Sequence, residues 1–311
     1  MKMITQNYRK AFSTKVSWLL LAAFLLMGLL LVGMVMLVIT GGRTEMTKEQ
    51  TAISSVLQNI IAFIVPAVAV ALLSKMVDGV GLWHRLRLDK APALKWVAVV
   101  IVIYFVALPA MNWITMWNEG LRLPASMQGI EETFRAAEDK AQEITTQMLQ
   151  FGSLLNMLVM LMIMAVITAL GEELFFRSAL LGSALDRHPR RAHLLVWTVA
   201  IIFSAFHFQF YGFVPRMLLG AWFGYLMLWS GSVWVPIIAH AFNNGMVVVV
   251  SYLVEEKIFS DNKLDTIGTT DDASFPWLAL ASAVVTITLV ILVYRTMRST
   301  PPPYNPELTD D

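Results

Sequence analysis

The stretch LMIMAVITALGEELFFRSAL, residues 161–180, decides how this chain is read. Its first ten residues suit a lipid bilayer, and then two adjacent carboxylates, Glu172 and Glu173, and the cation of Arg177 break the apolar run. Charged groups in or beside hydrocarbon are costly and are kept where they are paired or used. The stretch therefore needs a membrane around it and a purpose for its charges.

Composition supplies the membrane. Only 14% of the 311 residues are charged and 57% are hydrophobic, against about 25% charged in soluble domains. A mean hydropathy of +0.65 agrees with that class. The chain has no cysteine, which removes disulfides, thiolate catalysis and cysteine-held zinc or iron–sulfur sites. Net charge is +1, with Lys and Arg spread over several loops, so nothing points to nucleic acid as a partner.

Val16 to Thr40 runs 25 residues without a charge. A secretory signal has an apolar core of about 7–15 residues before a small-residue cleavage site, so this run reads as a retained span. A span takes about 20 apolar residues. Eight segments meet or approach that length: 16–40, 53–73, 96–113, 152–170, 193–210, 212–229, 233–253 and 276–294. The expected fold is all-α, a polytopic helical membrane bundle of about eight transmembrane helices. It forms one membrane domain over 16–294, after an N-terminal tail of residues 1–15 and before a Pro-rich, acidic tail at 295–311 that is expected to be disordered.

Lys and Arg concentrate in the N-terminal tail and in loops 74–95 and 171–192, so the positive-inside rule places both termini in the cytoplasm. Residues 127–151 carry Met127, Ile130, Phe134, Ala137, Ile144, Met148 and Phe151, mostly at helical spacing, with acids between them. That pattern predicts an amphipathic helix on the outer side, leading into the fourth span.

Ionisable and amide groups gather at three places among the spans: Glu172, Glu173 and Arg177; His207; and His240 with Asn243 and Asn244. Glu173 and Arg177 are i, i+4 with the acid first, the favourable order for an ion pair. Glu172 is rotated about 100° from Glu173 and need not share that arginine. His240 and Asn244 are i, i+4 on one face. Together these groups are the parts for adding water to a carbonyl: a buried carboxylate as base, an imidazole to orient the water, and N–H donors for the oxyanion. Each also has a plainer reading, as a charged interfacial turn, a packed histidine or an interhelical amide. Their coincidence on helix faces favours chemistry.

At these residues the sequence resembles the CPBP family of intramembrane proteases, the CAAX-protease and bacteriocin-processing (Abi-type) enzymes. The family pattern E-E-x-x-x-R, F-x-x-x-H and H-x-x-x-N stands here as EELFFR (172–177), FSAFH (203–207) and HAFNN (240–244). The resemblance covers about residues 150–250. It implies an intramembrane endopeptidase in which Glu172 activates water, His207 helps position it, His240 and Asn244 stabilise the oxyanion, and Glu173 with Arg177 forms a supporting ion pair. Ser178 follows the arginine where relatives often carry Gly. No H-E-x-x-H, G-x-S-x-G or spanning aspartyl pair is present, and the expected mechanism uses neither cofactor nor metal.

The expected substrate is a peptide or membrane protein without a prenyl group, and the expected location is a bacterial inner membrane. The principal alternative is a non-enzymatic membrane immunity or scaffold protein that keeps the polar cluster for structure. Taken literally, the spans end the fourth helix at residue 170 and put His207 about 14 residues along the fifth, an axial offset of about 21 Å from Glu172. Tilted or broken helices, or a fourth helix placed deeper, are required for the two to meet.

Overall fold

The computed structural model describes residues 12–259, 266–269 and 275–297. The expectations for the tails therefore lie outside the described residues, except at 12–15 and 295–297. Helix α1 spans Thr14–Thr40, opened by the Ser13 side chain, which accepts from the Val16 N–H, and closed by Gly41 in the left-handed conformation. Helix α2 spans Lys48–Asp78 and starts at a Thr47–Gln50 capping box. Then come α3 (Leu94–Glu119), α4 (Gln128–Met148), α5 (Leu154–Arg187), α6 (Ala192–Ala205), α7 (Phe213–Ser230), α8 (Trp234–Glu255) and α9 (Trp277–Met297). No strand occurs among the described residues. The molecule is a helical membrane bundle, and α4 is the amphipathic helix at 127–151.

The number of spans differs from the expected eight. Among the described residues six helices are long and apolar enough to cross a bilayer: α1, α2, α3, α5, α8 and α9. The fifth expected segment, 193–210, is helical only to Ala205, and the resulting 14 residues of α6 reach about 21 Å, short of a hydrocarbon core of about 30 Å. The sixth, α7, has 18 residues, but Pro215, Arg216 and its glycines dilute its apolar character.

The fourth expected segment errs the other way. It does not stop at residue 170; α5 continues to Arg187 as a helix of 34 residues. The apolar pattern resumes beyond the charges, and Phe175, Phe176, Leu180, Leu181 and Leu185 bury themselves in the main core with Phe63, Val196 and Phe203. Glu172 therefore lies inside a long helix rather than at its end. It stands 15 residues before Arg187, and His207 stands 15 residues after the start of α6, so the two lie at similar depth along antiparallel helices.

Wide helical turns shape the centre. Residues Gln58–Ile64 of α2 and Leu161–Ile167 and Glu173–Leu181 of α5 form π segments, a geometry that often marks functional sites. The α2 π segment is gripped from both sides by glycines. A Cβ on Gly28 of α1 would stand 2.7 Å from the Ile61 carbonyl oxygen and 2.9 Å from Ala62 Cα. Both are backbone atoms that cannot swing aside. Gly28→Ala is expected to destabilise the bundle by about 1–3 kcal/mol, read as a lower melting temperature in detergent.

Candidate active site

Glu173 and Arg177 are fully buried, and Arg177 Nη1 donates to Glu173 Oε1 at 2.8 Å. The guanidinium also donates through Nη2 to the Gly220 carbonyl at 3.1 Å. Its plane is held by the rings of Phe203, 4.2 Å away, and Phe223, 5.3 Å away. The arginine thus ties α5 to α6 and α7. Gly220 has no side chain for a reason: a Cβ there would meet Phe203 at 3.0 Å and Arg177 Nη2 at 3.3 Å.

The same Glu173 Oε1 binds His240 Nδ1 at 2.8 Å. An ionised carboxylate only accepts, so Nδ1 carries the proton and the ring orientation is fixed. Phe223 stacks on this imidazole with centroids 5.0 Å apart. His240 Nε2 is thereby aimed at Glu172, whose Oε2 lies 3.9 Å away. That separation is too long for a hydrogen bond and short enough for strong electrostatic coupling.

Glu172 differs from Glu173 in two respects that matter for chemistry. Its side chain is 12% exposed, whereas that of Glu173 is 0% exposed, so water can reach only the first. Oε2 of each glutamate is buried without a hydrogen-bond partner, but Glu173 is committed through Oε1 to Arg177 and His240. One carboxylate is structural and the other is available.

His207 lies in the turn just past α6. Its Nδ1 binds the Phe203 carbonyl at 2.8 Å, and as a carbonyl only accepts, Nδ1 again carries the proton. Phe208, the next residue, has φ 55°, in the left-handed region that side chains seldom adopt, and this reverses the chain at His207. The Phe203 ring touches both imidazoles, with centroids 5.0 Å from His207 and 6.2 Å from His240. No hydrogen bond joins His207 to Glu172 among the described residues.

Asn244 stands one turn beyond His240 on α8. Its Nδ2 donates to the Met164 carbonyl at 3.1 Å and its Oδ1 accepts from Asn243 at 3.1 Å. Met164 belongs to the π segment of α5, so the amide fastens α8 to the turn that precedes Glu172. The structure thus joins Glu172, Glu173, Arg177 and His240 directly. His207 is linked to them through Phe203, and Asn244 through the backbone of α5.

Two neighbours escaped the sequence reading. Arg216 of α7 is near enough to Glu172 for its charge to act on it, and its Nη2 donates to Gln209 at 2.9 Å. Gln209 in turn donates to Glu138 of α4 at 2.9 Å. An arginine inside an expected span was itself the signal. The second is Asn59 in the π segment of α2, buried at 4% exposure. Its side chain packs so closely on Gly171 that a Cβ there would lie 2.5 Å from Asn59 Oδ1. Asn59 therefore seats the residue that precedes Glu172. Among the described residues no group of three or more His, Asp or Glu is arranged to hold a metal ion.

Residues 154–246 match the family model described as type II CAAX prenyl endopeptidase, Rce1-like. The matched stretch includes every residue from Glu172 to Asn244. No curated protein and no solved structure matches the chain.

Proposed function

We propose that the protein, through its Rce1-like domain, is an intramembrane endopeptidase that hydrolyses peptide bonds with water activated by Glu172. The observation that carries this reading is the division of labour between the adjacent glutamates. Glu173 is sealed in with Arg177 and His240, and Glu172 is held by neither in a hydrogen bond and keeps a side chain that is 12% exposed.

In the proposed reaction Glu172 takes a proton from water while the water oxygen bonds to the peptide carbonyl carbon. His207, with its proton on Nδ1, offers the Nε2 lone pair to the second water hydrogen. The negative charge that develops on the carbonyl oxygen is met by the second N–H of the Asn244 amide and by His240 Nε2, which donates when that ring carries both protons. Collapse of this intermediate breaks the C–N bond, and the proton held by Glu172 passes to the departing amine. Each oxyanion donor contributes about 3–4 kcal/mol in comparable sites. The substrates that fit are peptides or membrane proteins that present an extended segment at this depth.

The test is cleavage of a randomised peptide library by the purified protein, with His207→Ala and His240→Ala beside the wild type, each with and without chelator. Losses of about 10²–10³-fold in both variants, with the wild type unaffected by chelator, are expected. Full activity in either variant removes that histidine's role. Loss on chelation replaces the water-activating role of Glu172 with that of a metal.

A further inference from the structure

A second polar feature shares no lining residue with the glutamate site and lies at the end of the bundle where α3 and α8 begin and α7 and α9 finish. A cavity of about 300 Å³ opens there, lined by Lys90, Lys95, Trp96, Trp229, Ser230 and Ser232 among others. No carboxylate lines it. Its floor is built rather than incidental, because Trp96, Trp229, Ser230 and Ser232 are all at least 94% buried.

The charged side chains that line this cavity, Lys90 and Lys95, are both cationic. Two ammonium groups stand at its rim. Helix α3 starts at Ala93 with no side-chain cap and no acid in its first turn, so its positive end is uncompensated. The first turn of α8 also lacks an acid. The indole Nε1 of Trp229, a donor with nothing to donate to among the described residues, is buried in the same wall.

The lysine loop is also held in place. Lys90 Nζ donates to the Ser230 carbonyl, Ser232 Oγ donates to the Lys90 carbonyl at 2.5 Å, and Trp234 Nε1 donates to the Leu88 carbonyl at 3.0 Å. One lysine proton is used and two remain. Fixing the loop in advance lowers the entropy cost of binding.

We propose that this cavity binds the phosphate of an anionic phospholipid, with Lys90 and Lys95 as its cationic ligands. A lipid is favoured over a free anion because apolar surface leads away from the cavity. Leu94, at the start of α3, is 82% exposed, and Leu292, one turn before Thr296 of the lining on α9, is 50% exposed. Acyl chains can lie along both while the headgroup sits above. Basic pockets between spanning helices hold lipid headgroups in this way.

The full chain, purified in a neutral detergent, is offered phosphatidylglycerol, phosphatidylcholine or inorganic phosphate, and lipid retention is read by native mass spectrometry together with the melting temperature. Phosphatidylglycerol is expected to be retained and to raise the melting temperature; the other two are not. Lys95→Gln should weaken phosphatidylglycerol binding about fivefold, and Lys90→Gln with Lys95→Gln about 25-fold. Lys95 makes no contact that fixes the loop, so its single variant separates lost binding from lost folding. Equal retention of the two lipids, undiminished binding by Lys95→Gln, or an equal rise with inorganic phosphate overturns the proposal. None of these results depends on proteolytic activity.

Discussion

Glu172→Gln is expected to lower the rate of peptide hydrolysis by about 10³-fold while leaving the melting temperature unchanged within a degree or two. The amide matches the carboxylate in shape, and Glu172 Oε2 accepts no hydrogen bond that the exchange could break. What is lost is the basic oxygen alone. Glu173→Gln makes the contrast. It removes the charge that binds both Arg177 and His240, so activity and stability fall together. Measuring kcat and melting temperature for both variants in one detergent separates the two glutamates by function.

Arg177→Ala is expected to have the largest effect on stability, about 3–5 kcal/mol. The loss leaves Glu173 as an unpaired charge at 0% exposure. It also strips the Gly220 carbonyl of its donor and the Phe203 and Phe223 rings of the cation between them. Replacing the pair together, Glu173→Gln with Arg177→Met, should recover a large part of that stability, because neither partner is then left as an unpaired buried charge. Unfolding of Glu173→Gln, Arg177→Met and the double variant gives the coupling directly. A coupling near zero contradicts the pairing.

The helical membrane fold was legible because 57% apolar composition and uncharged runs such as Val16–Thr40 leave little else possible. Span boundaries were less legible. Hydropathy ended the fourth span at residue 170, just before Glu172, because it counts the cost of charges and cannot see that Arg177 cancels Glu173 inside the protein. It extended the fifth span past Ala205 because the turn there is made by hydrogen bonds, Ser204 Oγ to the Phe213 carbonyl at 2.6 Å among them. Phe206 and Phe208 keep the sequence apolar through that turn.

At the site, the i, i+4 spacing of Glu173 and Arg177 and of His240 and Asn244 was readable, since helix geometry alone sets it. The bond from His240 to Glu173 was not, because 67 residues separate the two partners and only the packing of α8 on α5 brings them together. The Gly220 and Met164 carbonyls are backbone groups and leave no mark in a sequence. Asn59 lies close to Gly171 because of the π segment that carries it, which nothing in the sequence marks.

The most direct test of the account follows oxygen. The purified protein cleaves a peptide library in water enriched in oxygen-18, and each new C-terminal carboxyl is weighed by mass spectrometry for wild type and Glu172→Gln. The account predicts one labelled oxygen per cut with the wild type and no labelled product above background with Glu172→Gln. Labelled product at the wild-type rate from Glu172→Gln, or no cleavage by the folded wild type, would contradict it.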